Sequence, residues 1–148
     1  MNKKAWLELM ETGVRDALNS LQADMAALQE SRQADTKSSA GDKHETARAM
    51  MDQELQQLNQ QREKALRNQS ELQQLTDAPC EVAARGAAVE TERIIYFISI
   101  SFGKLPVEGI KPVYALSPVS PVAQAMLGKR AGECFEINGA RHAILSVY

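Results

Sequence analysis

The sequence predicts an α+β protein in which an N-terminal antiparallel helical hairpin precedes a small antiparallel sheet with one short helix. Apolar residues recur at helical spacing through the first half, and no Gly or Pro occurs between Gly41 and Pro79. Beyond Pro79, β-branched and aromatic residues, which favour strands, dominate the most apolar stretch. We therefore expect a coiled-coil hairpin over residues 1–78 and a separate sheet domain over residues 79–148.

Composition narrows the classes of function. The 148 residues include 17 basic and 19 acidic side chains, giving a net charge of −2. Binding to nucleic acid through bulk charge is therefore not expected. No segment has the length and apolar character of a signal peptide or a membrane span. We expect a cytoplasmic protein that recognises its partners locally, with no membrane and no small-molecule substrate.

The first predicted helix covers about residues 5–33. Its apolar residues follow the three- and four-residue steps of a coiled-coil seam, with charged residues and glutamines between them. The seam consists of Leu7, Val14, Leu18, Leu21, Met25 and Leu28.

The second predicted helix covers about residues 44–76, in a glutamine-rich segment. Its seam is interrupted by Arg62 and Gln69 and otherwise consists of Met51, Leu55, Leu58, Ala65 and Leu72. A connection near Thr36 to Asp42 makes the two helices antiparallel. About 30 residues per helix, at about 1.5 Å each, give arms of roughly 45 Å.

The C-terminal half contains strand patterns. ERIIYFISIS, residues 92–101, is typical of a buried strand. CFEI and ARHAILSVY flank Asn138-Gly139, a pair that tolerates the positive φ of a two-residue hairpin turn. In the final strand we expect His142 to face solvent, opposite in phase to Ala143, Leu145 and Val147.

One short helix is predicted in SPVAQAMLGK, residues 120–129. Ser120 suits the N-cap, Pro121 suits the first helical position, and Gly128 can end the helix in a left-handed conformation. Lys129 and Arg130 follow and can either contact an acidic partner or simply solubilise the turn. The inward face is expected to hold Val122, Ala125 and Met126.

Few residues have the pattern of a free-standing catalytic site. Cys80 and Cys134 are isolated and are expected to be reduced thiols. His44 lies between charged residues and is assigned no catalytic role. No phosphate-binding glycine loop, Ser/His/Asp set or Cys/His nucleophile is present.

Two acids at the start of the second helix allow two interpretations. Asp42 and Glu45 have the spacing of a capping box, in which each side chain bonds a backbone amide of the first turn. The same geometry places two carboxylates on one side of a helix end. Mg²⁺ needs only one or two protein carboxylates, so such a pair could share an ion held mainly by a partner.

Two separated motifs resemble the bacterial GreA/GreB transcript cleavage factors. Residues 41–47, GDKHETA, resemble the GD-x-x-EN-A-EY motif of that family's coiled-coil tip. Residues 120–133 resemble its SP-x-(A/G)-x-x-L-x-GK-x-x-GD segment, which belongs to an FKBP-like domain. The matching positions there are Ser120-Pro121, Ala123, Leu127-Gly128-Lys129 and Gly132-Glu133.

The resemblance implies an accessory factor of bacterial RNA polymerase that is not itself an enzyme. The FKBP-like domain, residues 79–148, would bind the rim of the polymerase secondary channel and supply most of the affinity. The chain would reach RNA and DNA only through the polymerase complex. On this resemblance the partner-binding residues are Ser120, Pro121, Lys129 and Arg130.

The resemblance also implies a role for the tip acids, by which we mean Asp42 and Glu45. They would enter the channel and help hold the second Mg²⁺ of the polymerase, which itself hydrolyses backtracked RNA. No cofactor would be bound tightly by the chain alone.

Departures from the family motif leave alternatives open. Thr46 stands in place of Asn, and Arg48 and Ala49 replace the Glu-Tyr that follows. A secondary-channel competitor that does not stimulate cleavage is therefore one alternative. A coiled-coil adaptor, in which the tip acids only cap a helix, is another. A prolyl isomerase is less favoured, because the few aromatic residues after Pro79 are partly needed for the core.

Overall fold

A computed structural model describes residues 1–36 and 42–148. Two long helices come first, followed by short strands and one short helix. The helices are α1 (Lys3–Thr36), α2 (Asp42–Gln73) and α3 (Pro121–Met126). The strands are β1 (Ala88–Glu90), β2 (Ile95–Ile98), β3 (Gly103–Lys104), β4 (Val113–Leu116), β5 (Cys134–Ile137), β6 (Ala140–Ala143) and β7 (Ser146–Val147).

The chain divides into two compact units. Glu11–Ser70 forms the helical unit, and Met1–Met10 together with Glu71–Tyr148 forms what we call the mixed unit. Helix α1 therefore contributes its first turns to one unit and its remainder to the other. The division between residues 78 and 79 drawn from the sequence stays a prediction.

The helical unit is the predicted antiparallel hairpin. Near one end, Arg32 of α1 forms an ion pair of 3.1 Å with Asp52 of α2. Further along, Leu28 of α1 and Leu58 of α2 line one surface cleft. From the Arg32–Asp52 pair to the cleft lined by Leu28 and Leu58, residue numbers decrease along α1 and increase along α2. The two helices are therefore antiparallel. Helix bounds differ from the expected ones by only a few residues, as is usual at helix ends.

The apolar seam of this hairpin is confirmed. Val14 is buried, and the other seam positions of the helical unit are shielded while their neighbours are exposed. Two helices alone cannot enclose a seam completely, so most of these side chains are half-buried. The half-buried set is Leu18, Leu21, Met25, Leu28, Met51, Leu55, Leu58 and Ala65.

The mixed unit contains a five-stranded sheet in the order β3-β4-β2-β1-β7. Three of the four neighbouring strand pairs are antiparallel, as expected, but β2 and β4 are parallel, with Ile95 opposite Val113. The parallel pair arises because the chain between β2 and β4 crosses back, with β3 added at the edge. The predicted strand in residues 92–101 is shorter than its apolar run, since β2 covers only Ile95–Ile98.

Predicted local motifs around the second, two-stranded sheet are also present. The Ser120 hydroxyl accepts from the Ala123 amide at 3.2 Å, Pro121 begins α3, and Gly128 has φ +83°. Strands β5 and β6 form the expected hairpin, in which Asn138 (φ 51°) and Gly139 (φ 79°) make the turn. These features depend on residues close in sequence, which is why the sequence identifies them.

The predicted alternation of buried and exposed side chains is wrong at the end of this hairpin. His142 is exposed as expected, but Ile144 is buried at 1% exposure and Leu145 is 47% exposed. Strand β6 ends at Ala143, and the Ile144 backbone bonds to Gly132 and Glu133 instead of continuing the ladder. The strict alternation assumed from the sequence therefore stops before Leu145.

The first turns of α1 complete the core of the mixed unit. Asn2 accepts from the Ala5 amide at 3.1 Å through its side chain, which caps the start of the helix. Trp6 is 6% exposed, and its ring centroid lies 5.6 Å from that of Phe97 in β2. Met10 is fully buried, and its sulfur lies 3.8 Å from the Ser99 hydroxyl.

A buried lysine ties α1 to the C-terminal sequence. Lys3 is 4% exposed, and its ammonium donates to the backbone oxygens of Ala78, Gly86 and Tyr148. The last two distances are 3.0 Å and 3.1 Å. An ammonium has three N–H donors, so three carbonyl acceptors satisfy it completely. This arrangement lets a charged group be buried among hydrogen-bond acceptors.

A partly buried ion pair links the ends of two strands. Lys111 donates to the Glu90 carboxylate at 2.6 Å and to the Thr91 carbonyl at 2.8 Å. The hydrogen bond from Lys111 lowers the pKa of Glu90, although partial burial opposes the shift, and the Tyr148 hydroxyl adds a weaker contribution. Glu90 therefore stabilises the fold at pH values above its unfolded pKa, and this contribution is lost as the pH falls through its lowered folded pKa.

Lys111→Gln is expected to lower the free energy of unfolding by about 1–2 kcal/mol at pH 7, because the charged hydrogen bond is lost while solvent screens part of it. Urea unfolding at pH 7 and at pH values below about 4 checks this, and the difference from wild type should narrow at the lower pH. Lys104→Gln, which removes an exposed lysine of β3, is the matched control. A difference that stays constant with pH would contradict the role of Glu90.

Candidate functional site

Helix α2 begins at Asp42, so the tip acids stand at the start of a long helix. Glu45 follows one turn later and is exposed. The 32 residues of α2 correspond to a helix of about 48 Å. The helix end carries partial positive charge, which favours carboxylates in the first turn.

The capping interpretation depends on contacts that lie outside the described residues. It requires a hydrogen bond to the side chain of Asp42, which is not among the side chains described. The prediction that His44 has no catalytic role also concerns a side chain that is not described. What the structure establishes is the backbone: Asp42 is helical, and Glu45 lies on the same face one turn on. The capping and metal-sharing interpretations therefore both remain predictions.

Residues that follow Glu45 are also accessible. Arg48, Ala49 and Met50 are exposed, and Met50 reaches 67% exposure. Arg48 is three residues after Glu45, the spacing at which helical side chains are neighbours. Arg48 therefore places a positive charge next to Glu45, at the position where the GreA/GreB motif has Glu.

The Arg32–Asp52 ion pair was not anticipated from the sequence. It joins α1 and α2 close to the connection, with side chains 36% and 48% exposed. Exposed pairs of this kind contribute little stability but can favour one register. The sequence signal for this pair was that the two predicted antiparallel helices carry opposite charges near their connection.

The predicted partner-binding residues flank α3. Ser120 caps the helix and Pro121 is exposed at its first position, whereas Lys129 and Arg130 lie beyond its other end. Arg130 donates its amide to Glu133 at 2.6 Å, and its guanidinium lies 3.9 Å from the exposed Glu81 carboxylate. The structure therefore places the four residues at two ends of one short helix, and their role in binding stays a prediction.

Metal-ligating side chains do not cluster within the described ranges. No group of three or more His, Cys, Asp or Glu residues is close enough there to hold an ion. A tip pair of two carboxylates fits Mg²⁺ only if a partner supplies the other ligands, because Mg²⁺ requires an octahedral shell.

The helices of residues 1–36 and 42–148 differ from membrane-spanning segments. None of them is both long enough and apolar enough to cross a bilayer.

Comparison with known proteins gives a limited result. Neither the protein-family models nor the curated proteins contain a match. Three chains of solved structures match. One of them comes from the structure of the transcription factor Gfh1, with 16% identity over 95% of this chain and 94% of that chain, at a TM-score of 0.40. At so low a TM-score this similarity supports no conclusion about the present chain.

Proposed function

We propose that this chain is a transcription elongation factor that binds RNA polymerase and brings Asp42 and Glu45 to the polymerase active centre. The observation that carries the proposal is the exposed Glu45 one turn after Asp42, at the start of α2. Two acids there have the type and spacing of the motif that the sequence resembles. In this role the chain stimulates cleavage of backtracked RNA by the polymerase and is not itself an enzyme.

The hairpin suits insertion into a narrow channel. Its seam is shielded on the inside, whereas the polar residues between seam positions are exposed. A helix of about 48 Å is long enough to carry an acid deep into a large enzyme. Docking is assigned to the surface around α3, where Lys129 and Arg130 offer positive charge and Ser120 and Pro121 stand at the opposite end.

Magnesium enters this proposal through the partner. The tip acids would supply one or two oxygen ligands, and the polymerase would supply the others. The bound ion would activate water and stabilise charge on the phosphate. What this chain contributes is the placement of two carboxylates and the negative charge they bring.

The competitor function is favoured by one specific feature, the exposed Arg48 beside Glu45. A guanidinium at this spacing offsets part of the negative charge of the helix end. Such a chain could occupy the channel while contributing less to a metal ion. In that case the wild-type protein binds the polymerase and reduces cleavage.

Cleavage of backtracked RNA by saturated polymerase tests the proposal. Wild type should stimulate cleavage, and Asp42→Asn and Glu45→Gln should each reduce it at least about tenfold, because an amide is a poorer ligand for a hard cation and removes charge near the phosphate. Affinity for the polymerase, measured in parallel, should stay the same. Glu63→Gln, which removes an exposed acid in the middle of α2, is the matched control.

The outcomes separate the candidate functions. Since Asn caps a helix about as well as Asp, an Asp42→Asn variant as active as wild type would identify Asp42 as a cap only. Inhibition by wild type, together with tight binding, would establish the competitor. No binding to polymerase would overturn the proposal and leave the coiled-coil adaptor.

A further inference from the structure

A cleft in the mixed unit is lined by none of the partner-binding residues assigned above. It has a volume of about 620 Å³. One wall comes from Glu92, Arg93 and Tyr96, around the start of β2, and the other from Cys134 of β5 with Arg141 and His142 of β6. Residues that are distant in sequence thus meet at one site.

Three donor side chains that line this cleft lack a hydrogen-bond partner among the described residues. Within residues 1–36 and 42–148, neither Arg93 nor Arg141 forms an ion pair or a side-chain hydrogen bond, although Lys111 and Arg130 of the same unit do pair with carboxylates. The Tyr96 hydroxyl also has no hydrogen-bond partner there. Burial raises the pKa of Tyr96, with Tyr114 adding to the effect, so the phenol is neutral and can donate.

The wall formed by β6 packs against aromatic rings. The His142 ring stacks on Phe135 at a centroid distance of 5.4 Å and an interplanar angle of 27°, and Phe135 in turn meets Tyr96 edge-on at 6.4 Å. Strand β6 pairs with β5 alone in its two-stranded sheet, and no strand among residues 1–36 and 42–148 pairs with its other edge. An edge strand offers backbone N–H and C=O groups to an extended peptide.

The charges around the cleft select among anionic ligands. Glu92 lines the same cleft, and Glu136 lies opposite Arg141 in the hairpin register although no ion pair joins the two. These acids and the net charge of −2 disfavour a polyanion such as nucleic acid. A ligand with separate carboxylates is compatible with these nearby acids. Each of its carboxylates can form a local, bidentate pair with one guanidinium.

We propose that this cleft binds an extended acidic peptide segment of a partner protein. The peptide runs along β6, and its carboxylates pair with Arg93 and Arg141. Tyr96 and His142 supply further donors at the cleft wall. The site does not depend on binding to RNA polymerase, so it stands or falls separately from the proposed function.

The test uses the full chain and an acetylated, amidated hexapeptide of alternating Asp and Val, followed by NMR and calorimetry. Saturable binding should shift the backbone amides of Arg141, His142 and Ala143. Arg93→Gln and Arg141→Gln should each weaken binding at least about tenfold, since a charged hydrogen-bonded pair is lost. Arg67→Gln, an exposed arginine of α2, should leave the affinity unchanged.

Further probes distinguish other ligands. An Asn/Val hexapeptide of the same length should not bind, because it lacks the carboxylates. Inorganic phosphate that binds more tightly than the peptide, with the same dependence on both arginines, would overturn the peptide assignment in favour of a phosphate site. Peptide binding unaffected by both arginine variants would also overturn it. Circular dichroism of each variant confirms that the fold is retained.

Discussion

Met10→Ala and Trp6→Ala are each expected to destabilise the mixed unit strongly, by about 2–5 and 3–5 kcal/mol respectively. Both side chains are buried, with Met10 at 0% and Trp6 at 6% exposure. They belong to α1, yet they pack within a unit that otherwise consists of Glu71–Tyr148. Truncating either one removes apolar contacts and leaves a cavity that the surrounding sheet cannot fill completely.

Urea unfolding measures the effect, and Trp6 is a convenient probe because the chain has a single tryptophan. In Met10→Ala the fluorescence transition should move to lower urea with a similar slope. Leu66→Ala, which truncates a leucine that is 40% exposed on α2, is the control and should cost less than about 1 kcal/mol. Equal midpoints for the Met10 and Leu66 variants would contradict a core role for α1.

This dependence on α1 also affects how binding to a partner can be mapped. A fragment of residues 79–148 lacks Lys3, Trp6 and Met10, and so lacks part of its own core. We expect it to be poorly folded, so a loss of partner affinity in that fragment would not locate the binding surface. Substitutions in the full chain, such as those at Lys129 and Arg130, are the better measure.

Local features of the fold could be predicted because their causes are local. The half-buried seam from Leu18 to Leu28 follows a helical period, and Ser120 caps α3 through a contact three residues away. The Asn138-Gly139 turn needs only two residues with positive φ. In each case a short pattern was sufficient to identify the element.

Features made by distant residues could not be predicted in this way. Nothing in the pattern of residues 95–98 shows that β2 pairs in parallel with β4, since both strands are simply apolar. Lys3 and Trp6 have the sequence context of an ordinary helix start, and their burial depends on residues more than half the chain away.

The candidate sites divide in the same way. The spacing of Asp42 and Glu45 is local, and both residues lie in the first turn of α2, two residues earlier than the predicted helix start. By contrast, Arg93 and Arg141 are far apart in sequence, and only the pairing of β5 with β6 beside β2 brings them to one cleft. Isolated charged residues gave no indication of this arrangement.

Lys3→Met is expected to lower the free energy of unfolding by about 1–3 kcal/mol, because it leaves the buried Gly86 carbonyl oxygen without a donor. The three acceptors are not equivalent. The Tyr148 oxygen also accepts from the Ala88 amide at 3.0 Å, and the Ala78 oxygen lies 3.6 Å from the Cys80 thiol. The Gly86 oxygen has no such second donor among the described residues, so it should account for most of the loss.

Two comparisons make this prediction specific. Lys4→Met removes the same charge from the adjacent, exposed position and should change stability by no more than about 0.5 kcal/mol. Lys3→Arg keeps the charge, but its planar guanidinium cannot point donors at three carbonyls arranged around an ammonium, so it should not restore wild-type stability. Urea unfolding of the three variants provides the measurement. If Lys3→Met and Lys4→Met unfold at the same urea concentration, Lys3 does not stabilise the mixed unit through its buried hydrogen bonds.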